Sequence, residues 1–243
     1  MPQPATFRVV HVFVALADNE HQGIVPVAAK LGNGEDAEHN LYWGSAYGVK
    51  TFFSRSADWM RVMCGSRLKS EILERCIFKH RAQSAYLVAD AYRGKEIRQA
   101  ILDFLTSAAG DGAETITLPS SAAGATISAR GGSNLVVYVG HDGLMDFQLS
   151  RLPPNQNKVR REAIVLACAS KQYFSPLLQA SGVYPILLTT GLMAPEAYTL
   201  KSALDGWMAA EDAEQIRERA ATAYDKYQKC GMKAARRLFT TGW

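Results

Sequence analysis

Two short segments place residues that can do chemistry at the ends of apolar runs. Gly140-His141-Asp142-Gly143 closes the run Leu135-Val136-Val137-Tyr138-Val139, and Ala167-Cys168-Ala169-Ser170 closes Ala163-Ile164-Val165-Leu166. A free thiol is mostly protonated at neutral pH, and a basic neighbour is the usual way to convert it into a nucleophile. A histidine and a cysteine at the tips of adjacent strands would form such a pair. The 27 residues that separate His141 from Cys168 are enough for a crossover between parallel strands. Strands 135–139 and 163–167 are therefore predicted to lie side by side and parallel, with the ring and the sulfur at one end.

The elements that must hold this pair are legible as runs of β-branched and aromatic residues. Val9-Val10-His11-Val12-Phe13-Val14-Ala15-Leu16 is continuous, as in a strand buried on both faces. Ala85-Tyr86-Leu87-Val88-Ala89 and Tyr184-Pro185-Ile186-Leu187-Leu188 read the same way, and the stretch from Ile72 to Phe78 reads as a strand or a helix end. Ile97, Ile101, Leu102 and Leu105 share a helix face, and a further helix should begin near Tyr173. Residues 41–59, with Tyr42, Trp43, Tyr47, Phe52 and Phe53, are predicted helical despite Gly44 and Gly48. Residues 114–133, rich in Gly, Ala and Ser, are predicted to be an exposed, partly mobile excursion, and the chain from about 194 onward to be helical. Strands alternating with helices predict an α/β fold, a three-layer α/β/α sandwich with a mainly parallel central sheet, in one domain over residues 1–243.

Composition narrows the classes. With 48% hydrophobic and 21% charged residues and a net charge of +4, nothing demands a nucleic-acid surface. The apolar run near the N-terminus is too short to span a bilayer and lacks a basic leader, so neither a membrane span nor a signal peptide is expected. The four cysteines show no CxxC spacing and predict no disulfide framework, which favours a cytoplasmic location. His21 and His39, with Glu20, Glu35, Asp36 and Glu38, match no metal motif and read as a solvated loop. No cofactor and no metal is expected. His11, inside an apolar strand, reads as a satisfied core histidine.

A hydrophobic strand ending in Gly-His and a second ending in Ala-Cys resemble the caspase-hemoglobinase fold of cysteine peptidases: caspases, metacaspases, legumains, gingipains and their bacterial relatives. The resemblance covers roughly residues 135–188 and implies a caspase-like sheet. It also implies His141 and Cys168 as the catalytic dyad, with Gly143 an oxyanion-hole donor beside the amide of Cys168. Here Asp142 separates the histidine from the glycine, and Ala169-Ser170-Lys171 follows the cysteine where the family often has a small polar residue and a glycine. The family's specificity pocket is built from loops after the first strand and beyond the cysteine. On that basis Asp18, Asn19, Glu20 and Asp146 are the pocket candidates; they would favour a basic substrate side chain and Arg93 or Lys171 an acidic one, and the sequence does not rank the two. Asp146 could equally orient His141.

The expected function is a cysteine endopeptidase acting on a peptide or protein through a thioester. The alternative is a catalytically inactive caspase-like protein whose cleft binds a peptide or another chain, and a third is a small-molecule hydrolase or acyltransferase on an α/β sheet. The sequence sets no oligomeric state.

Overall fold

The computed structural model describes residues 7–119, 125–149 and 161–243. Its centre is β1 (Arg8–Ala15), almost wholly buried, as its unbroken apolar character requires. β4 (Ala85–Tyr92) pairs with it in parallel on one side and β7 (Leu135–Val139) in parallel on the other. β8 (Glu162–Leu166) and β9 (Tyr184–Thr189) extend the parallel sheet beyond β7. The far edge is antiparallel: β2 (Trp59–Lys69) and β3 (Ile72–His80) form a hairpin beside β4. The eight-stranded order is β10-β9-β8-β7-β1-β4-β3-β2, with β10 (Phe239–Thr240) antiparallel to β9. The fold is thus α/β with a mixed, mainly parallel sheet.

Alternate side chains of each strand enter different cores. Val10, Val12, Val137 and Ile164 pack toward α4 (Ala197–Met208), α5 (Ala213–Gln228) and the short α1 (Val49–Ser54). Phe13, Tyr138 and Val165 pack toward α2 (Ile97–Ala108) and α3 (Ser170–Ser181) on the other face. No helix of the described residues is long and apolar enough to cross a membrane.

Several expectations are corrected. Within residues 41–59 only α1 is helical, and Trp59 already opens β2. A Cβ on Gly44 or Gly48 would collide with the backbone of Glu38 or Trp43, so these glycines make tight turns rather than helix. Most of the aromatic residues are nonetheless core, with Tyr42, Trp43, Phe53 and Trp59 buried, whereas Tyr47 is exposed. Residues 114–133 are not an open excursion where described. β5 (Glu114–Thr117) and β6 (Thr126–Ala129) pair as a separate antiparallel sheet, and Ile127 and Ala129 pack on Val9, Tyr86 and Val88. Residues 120–124 of that stretch lie outside the described residues. The chain after residue 194 is helical only through α6 (Met232–Leu238), since buried Phe239 turns it into β10 against the open edge of β9. α3 starts at Ser170, three residues before the expected position.

A buried ionic cluster ties the β5–β6 sheet to the main one. Arg75 grips Asp90 through two nitrogens (2.5 and 2.7 Å) and reaches Glu114, while Arg130 binds Glu114 and Asp103. His11 Nδ1 accepts the Arg130 amide (3.1 Å), so the proton sits on Nε2, which donates to Asp90 (3.1 Å). Burial lowers the pKa of this imidazole and keeps it neutral.

Cys64 and Cys76 are joined as a disulfide, against the expectation that no cysteines pair. They face each other directly in the β2–β3 hairpin with Cα atoms 4.1 Å apart, a relation that depends on strand register and not on a CxxC spacing. An oxidised pair removes unpaired thiols as a sign of a reducing compartment. Replacing both cysteines with alanine is expected to lower the free energy of unfolding by about 3 kcal/mol, the chain-entropy value for a loop of this length. The shift in the denaturant midpoint measures it.

Candidate active site

The sheet order reverses at β1, so the carboxyl ends of β1 and β7 open a crevice of the kind in which α/β folds bind ligands. Val139 pairs with Leu166 at the end of the β7–β8 ladder, and the Gly140 amide adds a bond to the Leu166 carbonyl (3.2 Å). His141 and Cys168 each lie two residues past that pair. Both therefore leave the sheet at the same end, from strands about 4.8 Å apart.

Local sequence fixes the histidine. Gly140 has φ +148°, and a Cβ there would sit 2.7 Å from the Ala15 carbonyl oxygen, so only glycine lets the chain leave β7 this close to β1. The Tyr138 hydroxyl donates to the His141 carbonyl (2.8 Å). The ring Nε2 lies 2.6 Å from Asp146 Oδ2, and the Gly23 amide donates to the same oxygen (3.2 Å). A side chain at Gly23 would come within 2.7 Å of that carboxylate. The loop after β1 thus clamps Asp146, and Asp146 orients His141. With Nε2–H donating to the carboxylate, Nδ1 is the nitrogen left to take a proton.

Cys168 sits on a sharp strand-to-helix turn. Ala169 adopts the left-handed conformation (φ 48°, ψ 32°), which costs a non-glycine residue about 1 kcal/mol. The turn is held by the Ala169 amide donating to the Gly191 carbonyl (2.9 Å) and by buried Ser170 and Thr189, whose hydroxyls lie 3.0 Å apart. Thr189 also donates to the Ala167 carbonyl. The Cys168 Sγ accepts the Met193 amide (3.4 Å) and lies 3.7 Å from the Met193 carbonyl oxygen. Burial pushes the thiol pKa up, the Met193 amide opposes this, and the nearby Asp142 adds to it. The free protein therefore carries a thiol, and a base must remove its proton as it attacks.

Both residues open into one cavity of about 280 Å³. Its walls come from the loops after four strands: Ile24, Val25 and Val27 after β1, Gly140 and His141 after β7, Cys168 after β8, and residues 192–195 after β9. The chain matches no family model, no curated protein and no solved structure. Geometry and chemistry alone must carry the assignment.

The other residues singled out from the sequence lie elsewhere. Asp18, Asn19 and Glu20 line a second hollow of about 270 Å³ with His21, Gly34 and Glu35. There Asp18 accepts the Glu20 and His21 amides and the His21 ring, while Asn19 bonds the Val27 backbone in both directions. These side chains shape their own loop. Gly143 does not line the cavity: its amide donates to the His141 carbonyl (3.1 Å), and a Cβ there would run into Phe147 and Ile97. Among the described residues, one group could gather metal ligands, Cys64, Glu74 and Cys76, but its two sulfurs form the disulfide.

Two features of the site escaped the sequence reading. The Met193 amide, in contact with the sulfur, is a donor on the apolar segment Gly191-Leu192-Met193-Ala194-Pro195, whose position after a strand was the available signal. Asp142, which separates His141 from Gly143, is fully buried; Oδ1 accepts the Leu144 amide, and Oδ2 has no hydrogen-bond partner among the described residues. Burial raises its pKa to about 7, against the Leu144 amide and reinforced by the charge of Asp146.

Proposed function

We propose that the chain is a cysteine peptidase of caspase-like, three-layer architecture, with Cys168 as nucleophile and His141 as general base and acid. The observation that carries this reading is that the two residues, each just past the paired ends of adjacent parallel strands, line one cavity. The clamped Asp146 supports it, because an oriented imidazole is what such a base needs.

Nδ1 of His141 takes the thiol proton as Sγ bonds to the substrate carbonyl carbon. The oxyanion that develops is met by backbone amides, and Met193 N–H is already 3.4 Å from the sulfur. The C–N bond breaks as the imidazolium returns its proton to the leaving amine. Water, deprotonated by His141, then hydrolyses the thioester and frees the thiol.

The second reading, an inactive relative that binds a peptide, is favoured by one observation: the thiol pKa is raised, with no cation to lower it. Hydrolysis of a peptide pool separates the two. New termini should appear with the wild-type protein and not with Cys168→Ala; equal cleavage by both proteins removes Cys168 from the chemistry.

A further inference from the structure

The cavity that holds His141 and Cys168 has walls of one character. Among the described residues, His141 is the one ionisable Asp, Glu, Lys, Arg or His side chain that lines it. Its interior is closed by Leu41, Tyr42 and Met193, with Ile24 and Val27 from the loop after β1. At its mouth stand Val25 and Leu192, 82% and 74% exposed, and Met145, also exposed. Large apolar side chains left in water around one opening mark a surface that an apolar ligand covers. The Met193 backbone touches the Cys168 sulfur, so the wall formed by residues 192–195 adjoins the atom that would hold the acyl group.

The acidic residues near the crevice are committed to other partners. Asp18 is occupied by its own loop, Glu35 is paired with Arg93 and Lys95, and the Asp146 carboxylate is held by His141 and Gly23. Among the described residues, no carboxylate lines the cavity to receive a basic side chain.

We infer that the residue on the acyl side of the cleaved bond is uncharged and apolar, of leucine or phenylalanine type, and is seated between Val25, Met145 and the 192–195 segment. This rests on the peptidase reading above and departs from both the basic preference that the acidic loop residues offered and the acidic one that Arg93 or Lys171 offered. A cavity of about 280 Å³ is at the small end of ligand sites, with room for a side chain or two. A charged side chain would enter it without a counter-ion or polar wall to replace its water, a penalty that an apolar side chain does not meet.

The test uses the full chain and acetyl-Ala-Ala-X acyloxymethyl ketones, with X as Leu, Phe, Arg or Asp. In this reaction a C–S bond forms at the ketone methylene, a carboxylate leaves, and the thiol proton passes through His141 to solvent. Rates of Cys168 modification are followed by mass spectrometry, each divided by the rate with iodoacetamide. The leucyl and phenylalanyl probes should react at least about tenfold faster than the arginyl and aspartyl ones. Leu192→Asp and Val25→Asp, both at the exposed rim, should erode that ratio. Equal or faster modification by a charged probe would overturn the inference while leaving the dyad standing. If no ketone modifies Cys168, the peptidase reading itself fails. The pocket is then read by calorimetry on Cys168→Ala with the corresponding peptide amides. Tighter binding of the leucyl peptide would retain the apolar pocket; equal or absent binding would overturn it.

Discussion

Cys168→Ala should abolish peptide hydrolysis, and His141→Ala should slow kcat by at least about 10³-fold, since loss of either member of a nucleophile–base pair removes the same step. Asp146→Asn should cost less, about 10–100-fold, because it acts through the imidazole and does not touch substrate. An asparagine at 146 that presents its amide to Nε2 would favour the tautomer with its proton on Nδ1, the wrong nitrogen for a base facing the thiol. The loss should therefore appear in kcat and in the pH profile with KM nearly unchanged, whereas a merely unfolded site would lose both. Cys230→Ala, at an exposed thiol that does not line the cavity, should behave as wild type.

Asp142 gives the second large effect, on stability. Its pKa in the folded protein, about 7, lies above the ordinary carboxylate value of 3.8. Between those two pH values the folded chain retains a proton that the unfolded chain has released, so stability falls as pH rises through the window and the loss is complete above about pH 7. The full difference is on the order of 4 kcal/mol. Asp142→Asn keeps an oxygen for the Leu144 amide and cannot ionise. It should flatten the pH dependence of the denaturant midpoint between pH 4 and 7 and raise stability at pH 8. It should also move the pH profile of Cys168 alkylation to lower pH, because the Asp142 charge helps hold the thiol pKa up.

The parallel strands were legible because a strand buried on both faces is an unbroken apolar run, and the runs in β1, β4, β7, β8 and β9 are interrupted only by groups such as His11, which finds partners inside. That His141 and Cys168 leave the sheet at one end and line one cavity was legible for the same reason: equal spacing past two apolar runs that pair in parallel. What depended on register or turn geometry was not. Cys64 and Cys76 are twelve residues apart, and only the β2–β3 pairing makes them opposite. Gly44 and Gly48 mark turns, yet the aromatic residues around them imitate a helix face. Glu114 and Arg130 bracket a Gly- and Ala-rich stretch whose composition suggests an open loop, while their charges anchor it to Arg75, Asp90 and Asp103. Asp18 and Asn19 looked available to a substrate, but short polar side chains in loops commonly bond the backbone beside them, and these do.

The dyad is tested most directly by locating the adduct of a leucyl acyloxymethyl ketone on the intact protein. Peptide mapping should find one modification, on Cys168, formed far more slowly in His141→Ala and absent after the chain is unfolded before exposure. Modification of Cys230 instead, or a Cys168 adduct formed equally fast without His141 or in the unfolded chain, would contradict a site in which the fold itself makes Cys168 the nucleophile.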